Sequence, residues 1–282
     1  MPTIHRGSHE IHYEVKGRAD APPVLLVMGL GMPARAWGTL PDMLAEKYRV
    51  IVLDNLGTGN STLPDRNIRV GDMADDAAAV LDAAGIERAA VFGVSMGGMI
   101  TIELCLRHPE KVRALILGCT HGGYLTSKKP ALRTTLSLMH GTLTKKLDLD
   151  RTASFLVSPA YYKAHREEFH TWLKLAGRPK PRTILTQMFA IARYEATGRL
   201  AGISVPTLVI TGDADRLVPA ANSKRLAARI PGAKLVLLPG VGHAFRLEAE
   251  AASSAEIGSF LEETVGPSAR SAAPAAGPER RS

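Results

Sequence analysis

The chain is short of cysteine: Cys105 and Cys119 are its only two in 282 residues, which excludes a disulfide framework. Cys105 falls in an apolar helical run and Cys119 at the end of an apolar strand, so both are expected to be buried and reduced. Neither C-x-x-C nor H-E-x-x-H spacing occurs, and no metal or organic cofactor is called for. Long hydrophobic runs are missing too. The longest are of strand length, far short of the ~20 residues needed to cross a bilayer. Residues 1–8 have neither the basic start nor the apolar stretch of a signal peptide, so the expectation is a cytoplasmic protein with no membrane insertion.

Acidic charge is also in deficit, with a formal net charge of +8. The surplus is local. Residues 121–200 hold 14 Lys and Arg against 5 Asp and Glu, so the remainder of the chain is close to neutral. The plain reading is a solvated basic face. The functional alternative is an electropositive lid that draws an anionic substrate. The basic residues form no nucleic-acid reader motif, which argues against that class of partner.

What is present is a βα alternation. Residues 11–15 alternate in character and fit an early edge strand. Residues 24–28, 49–53, 89–93, 113–117, 206–210 and 234–238 are short, largely apolar runs without alternation, as expected of strands covered on both faces. Helical periodicity fills the gaps. Residues 72–84 put Met73, Ala77, Val80, Leu81 and Ala84 on one face, with Asp75, Asp76 and Asp82 largely elsewhere, and Gly85 stops the helix. Residues 96–107, 223–230 and 249–264 read as further helices. The fold class is therefore α/β, with a doubly wound, mostly parallel sheet. The alternation fails over 121–200, where 133–140, 161–175 and 184–197 are helical and no strand is convincing. The expected organisation is a core of 1–120 and 201–265, a helical cap insertion at 121–200, and a disordered tail at 266–282.

The sharpest chemical signal is Gly93-Val94-Ser95-Met96-Gly97-Gly98, a G-x-S-x-G pattern between a buried strand and a long helix. The chain must turn abruptly at Ser95, and its hydroxyl then projects at a helix N-terminus, where the dipole favours developing negative charge. A serine hydroxyl is a weak nucleophile and needs a base. Of nine histidines, His243 is the candidate, because the glycine-rich loop Pro239-Gly240-Val241-Gly242-His243 follows the last apolar strand and can hold an imidazole over the sheet's edge. The orienting carboxylate is sought in Gly212-Asp213-Ala214-Asp215. The two acids lie two apart and point different ways, Asp215 being taken as the orienter and Asp213 as a turn residue.

Taken in the order Ser, Asp, His, these segments resemble the α/β-hydrolase fold family over roughly residues 10–264, and the insertion resembles that family's cap. The family's G-x-x-D-x-x-V-P pattern aligns its acid with Asp215. Asp54-Asn55-Leu56-Gly57-Thr58-Gly59-Asn60-Ser61 resembles its D-x-R-G-x-G-x-S loop, with Leu56 where arginine is usual. An oxyanion hole needs two backbone donors, each worth about 3 kcal/mol of barrier. Met96, just after the nucleophile, supplies one. The resemblance assigns the other to Leu30 in Met28-Gly29-Leu30-Gly31, where Met28 replaces the usual histidine. The expected activity is hydrolysis of a small-molecule carboxylic ester or lactone through an acyl-enzyme. Enol-lactonase-like, thioester or C–C bond hydrolysis of an anionic substrate is the alternative, and a ligand-binding protein that keeps the fold without turnover is the rival from another class.

Overall fold

In the computed structural model, residues 2–134, 136, 148–177 and 179–266 are described. The apolar runs become strands of one sheet: β1 (Thr3–Arg6), β2 (His9–Lys16), β3 (Pro23–Val27), β4 (Arg49–Leu53), β5 (Ala89–Val94), β6 (Val112–Gly118), β7 (Thr207–Gly212) and β8 (Lys234–Leu238). Their spatial order is β1-β2-β4-β3-β5-β6-β7-β8. From β4 to β8 all pairings are parallel, while β1 and β2 join antiparallel. The chain reverses direction of winding between β3 and β5, so the crevice at their C-terminal ends is where an open α/β sheet binds ligands.

Alternate residues of each strand feed opposite layers. Leu25, Val27, Ile51 and Leu53 pack on the helices Val70–Ala83 and Met96–Arg107. Val24, Leu26, Val52 and Phe92 face Trp37 and the late helix carrying Phe260 and Leu261. Fully covered on both sides, β5 has every residue buried, which is why its sequence shows no alternation.

Three expectations need correction. Residues 11–15 belong to β2, which is not an edge: β1 lies outside it, a four-residue strand whose half-exposed Thr3, Ile4, His5 and Arg6 form no apolar run. Asp76 is not on the outer face of its helix but 2% exposed, because His9 Nε2 at 3.0 Å and Arg6 Nε at 3.2 Å meet its carboxylate. The span 161–175 is two helices rather than one. Ser158 caps Pro159–Ala164 by accepting from Tyr161 N, and the chain breaks at His165 before Arg166–Ala176.

Between β6 and β7 the described residues hold no strand beyond an isolated bridge of Gly123 with Glu195. Helices Leu149–Leu156, Pro159–Ala164, Arg166–Ala176 and Pro181–Ala192 fill that segment, the first of them unforeseen. Most of the 133–140 patch and the tail 267–282 lie outside the described residues. No helix among the described residues is long and apolar enough to cross a membrane. Both cysteines are free and buried.

Candidate active site

The turn after β5 brings Ser95 to φ 55°, ψ −121°, a left-handed backbone held by a non-glycine residue. Such a conformation costs about 1–3 kcal/mol and persists only where the surroundings over-determine it. Here Ser95 N donates to Gly118 O at 2.8 Å, and Ser95 O accepts from Thr120 Oγ1 at 2.6 Å and from Gly98 N at 3.0 Å. The flanking glycines permit the closeness: a Cβ on Gly97 would lie 2.0 Å from Val27 O, and one on Gly93 2.2 Å from Gly97 O.

The two candidate acids separate cleanly. Asp215 Oδ2 accepts from His243 Nδ1 at 2.8 Å, and its Oδ1 accepts from Leu217 N and Val218 N, both at 2.8 Å. Its side chain is fully buried and that of His243 nearly so. Asp213 is exposed and accepts instead from Gly240 N at 2.7 Å, so it ties the acid's loop to the histidine's loop rather than hydrogen-bonding within its own turn. Burial works against a charged imidazole at His243, but the Asp215 carboxylate, with Cys119 adding, outweighs it and holds His243 well above its ordinary range.

Ser95, Leu30 and His243 all line one cavity of about 450 Å³. Among the described residues, His243 Nε2 has Cys119 Sγ as its polar neighbour at 3.9 Å, and no hydrogen bond joins it to Ser95 Oγ. In ligand-free sites such contacts are often long and tighten on binding. Met96 N and Leu30 N find no acceptor among the described residues, which leaves both amides available to a ligand. Met96 opens the helix behind Ser95, and Gly29 lies close enough that a Cβ there would be 3.1 Å from Ser95 Cβ.

Four residues in this arrangement escaped sequence reasoning. Asn55 Nδ2 donates to Met28 O at 2.7 Å, and Gln187 Oε1 accepts from Gly31 N at 2.7 Å while its Nε2 donates to Leu56 O at 2.9 Å. The loop that carries Leu30 is thus pinned from two sides, once by a helix of the insertion. Glu248 Oε2 accepts from Gly242 N at 2.9 Å and Ser158 N at 3.0 Å, fastening the histidine loop to the same insertion. Cys119 is the fourth. Asn55 lies within the Asp54–Ser61 motif, and that motif is the one signal that could have found it; Gln187, Glu248 and Cys119 belong to no local pattern. Leu56, in the usual arginine position, is fully buried in the apolar core, so hydrophobic packing stands where an ion pair would.

A family model described as serine aminopeptidase, S33 matches residues 22–250. The RutD protein of Azorhizobium caulinodans, which carries the description "Putative carbamate hydrolase", is 33% identical over 250 residues, covering 87% of this chain and 92% of its own. Among solved structures, the enol-lactonase from Burkholderia xenovorans LB400 superposes with a TM-score of 0.82 at 24% identity, over 93% of this chain and all of that one. Est816, an N-acyl homoserine lactone degrading enzyme, gives 0.80 at 25% identity over 92% and 100% of the two chains.

Proposed function

The chain belongs to the serine aminopeptidase S33 family of α/β-hydrolases, and from that premise we propose that it is a serine hydrolase cleaving a carboxylic ester or lactone through an acyl-enzyme. The observation that carries the reading is the buried Asp215–His243 pair at 2.8 Å, whose imidazole borders the cavity that Ser95 also lines. With Nδ1–H committed to Asp215, Nε2 is the nitrogen left to take the proton of Ser95 Oγ. The alkoxide oxygen attacks the carbonyl carbon. Charge then gathers on the carbonyl oxygen, which the amides of Leu30 and Met96 stabilise. His243 returns the proton to the leaving alcohol, and water repeats the sequence to free the acid and Ser95.

The cavity supports a neutral substrate. Its walls include Met28, Trp37, Phe155, Trp172, Ile184 and Leu217. Apart from His243 itself, the charged groups among the described lining residues are Asp148, Glu168 and Glu250 against Arg246. Arg246 spends one terminal nitrogen on Glu250 O, Ser253 Oγ and Ser254 Oγ. The basic surplus of 121–200 therefore reads as solvated surface rather than a steering lid. One second reading has a specific observation behind it: a carbamate presents the same carbonyl to Ser95, and the 33%-identical relative is described as acting on that class.

The test is labelling with a fluorophosphonate probe, followed by a panel of p-nitrophenyl esters, lactones and carbamates. Ser95 should be the labelled residue and neutral esters or lactones the better substrates. A folded protein that leaves Ser95 unlabelled sinks the enzyme reading and favours a binding protein.

Gln187 gives a prediction of its own. Gln187→Ala frees Gly31 N and Leu56 O, so the loop that presents Leu30 N loses its register. Outright loss of an oxyanion donor costs about 10²–10³ in kcat. A loosened one is expected to cost about 10-fold or more, with KM changed little, as steady-state kinetics on the preferred ester will read.

A further inference from the structure

A second cleft, of about 380 Å³, shares no lining residue with the cavity of Ser95. One wall is the loop 64–68, and the other is the helix Pro181–Ala192 with Arg193 at its end. The helix side contributes Arg182, Thr186, Phe189 and Arg193. At about 100° per residue these four fall within an arc of about 60°, and Ile184, which lines the catalytic cavity, points the opposite way. Thr183, Gln187 and Ala190 are the helix's buried face. The cleft holds three guanidinium groups, of Arg66, Arg182 and Arg193, against the one carboxylate of Asp65. Arg182 pairs with Asp65, but both side chains are widely exposed, and such a pair yields readily to a competing anion. Arg66 reaches Asp72, outside the cleft, at 3.2 Å. The Arg193 guanidinium has no partner among the described residues. Among these cations stands Phe189, its large apolar side chain left 63% exposed.

We propose that this cleft binds a small phosphorylated molecule carrying a flat aromatic ring, the chemistry of a nucleoside monophosphate. Its phosphate displaces Asp65 and takes the guanidinium groups of Arg182 and Arg66, whose planar forks match phosphate oxygens in pairs. The ring lies on Phe189, two helical turns farther along and about 10 Å from Arg182 by axial rise. Arg193, one turn beyond, covers the ring's other face, since a guanidinium stacks on aromatic planes. Thr186 stands between the two ends and offers its hydroxyl to the sugar. The cleft's volume falls within the ~300–1,000 Å³ of small-molecule sites. A merely solvated basic face needs neither a cleft nor an exposed ring at its centre. The ligand joins the loop 64–68 to the helix, which Thr183 Oγ1 already ties to Gly57 O at 3.0 Å farther in. Ser95 takes no part, so the site stands independently of the proposed hydrolysis.

The experiment titrates the full chain by calorimetry with adenosine monophosphate, and separately with inorganic phosphate and with adenosine. The monophosphate should bind at one site, weakening as salt rises. Phosphate alone should bind more weakly, and adenosine should give no signal. Arg182→Gln should weaken the monophosphate about 10-fold or more, the scale of a lost charge-assisted hydrogen bond. Phe189→Ala should weaken it about 3-fold or more and leave phosphate unchanged, as loss of a stacking face implies. Arg18→Gln, an exposed arginine paired with Asp20 and outside the cleft, should change nothing. The substituted side chains are all exposed, so each variant should melt with the wild type, which separates lost binding from lost folding. A monophosphate that fails to bind at millimolar concentration overturns the site, as does binding that Arg182→Gln leaves intact or that Arg18→Gln weakens equally. Phosphate binding as tightly as the monophosphate, or a Phe189→Ala without effect, overturns the ring-bearing ligand.

Discussion

On the proposed mechanism, Ser95→Ala should lower kcat on the preferred substrate by about 10⁶-fold, to the level that binding and the proposed oxyanion donors alone sustain. The size follows from how the machinery is shared. Without Oγ there is no acyl-enzyme, and neither the His243–Asp215 pair nor the amides of Leu30 and Met96 have a nucleophile to assist. The residual rate should still exceed that in water by about 10³–10⁴. Folding separates this loss from damage. The substituted alanine keeps a Cβ at φ 55°, so the melting temperature should stay where it is. Ser95→Gly is expected to raise it, because glycine adopts that backbone without strain. Relief of about 1–3 kcal/mol is set against the ~0.5–1 kcal/mol of extra chain entropy that glycine loses on folding. Differential scanning calorimetry beside the kinetics reads both. An unchanged kcat in either variant removes Ser95 as nucleophile, and a lower melting temperature in Ser95→Gly removes the strain.

How far this site could be read in advance depends on where each residue's partners lie. The strands were legible because β3, β4 and β5 are buried on both faces and can be nothing but apolar. β1 was not, since one face meets solvent and Thr3–Arg6 carries no apolar run. Asp76 looks like a surface residue within its helix and is buried only because the β1–β2 hairpin brings Arg6 and His9 over it. The elbow at Ser95 and the loops of Asp215 and His243 follow their strands directly, so local pattern was enough to nominate them. Gln187 is 156 positions from the Gly31 amide that it holds, inside a segment with no chemistry of its own to mark it. Local sequence records what a residue does for its own turn or strand. The tie between the insertion and the two functional loops exists only in three dimensions.

The insertion's role follows from those ties. Ala244 N donates to Leu156 O at 2.7 Å and Trp172 Nε1 to Ala36 O at 2.9 Å, in addition to the anchors at Glu248 and Gln187. The segment thus lines the cavity and also ties down the loops that carry Leu30 and His243. Preorganised donors cost no reorganisation when charge develops, which is where an oxyanion hole draws its strength.

Asp215→Asn should cost about 10⁴ in kcat, while Asp213→Asn changes it by no more than a few-fold. The difference lies in the tautomer. An asparagine at 215 can turn its amide towards Nδ1 and donate, which moves the imidazole proton to Nε2 and leaves no base for Ser95. At 213 the group accepts from Gly240 N, and an amide oxygen does that as well as a carboxylate. The pH profile gives a second readout. The proposed mechanism needs neutral His243, and Asp215 with Cys119 holds its proton to a pH well above the ordinary imidazole value of about 6.5. In the wild type kcat/KM should therefore climb as pH rises through that elevated value. In Asp215→Asn the carboxylate is gone and burial is left to disfavour the charged ring, so the residual activity should shift its acid limb to lower pH. The same linkage acts on stability. Pairing of charged His243 with Asp215 stabilises the fold below about pH 6.5, and the contribution is lost as pH rises through the folded-state value. The wild type should lose more melting temperature over that interval than Asp215→Asn. Equal kinetic losses at 213 and 215 would remove Asp215 as the orienting acid, and an acid limb that does not move would mean that the 2.8 Å contact orients His243 without setting its charge.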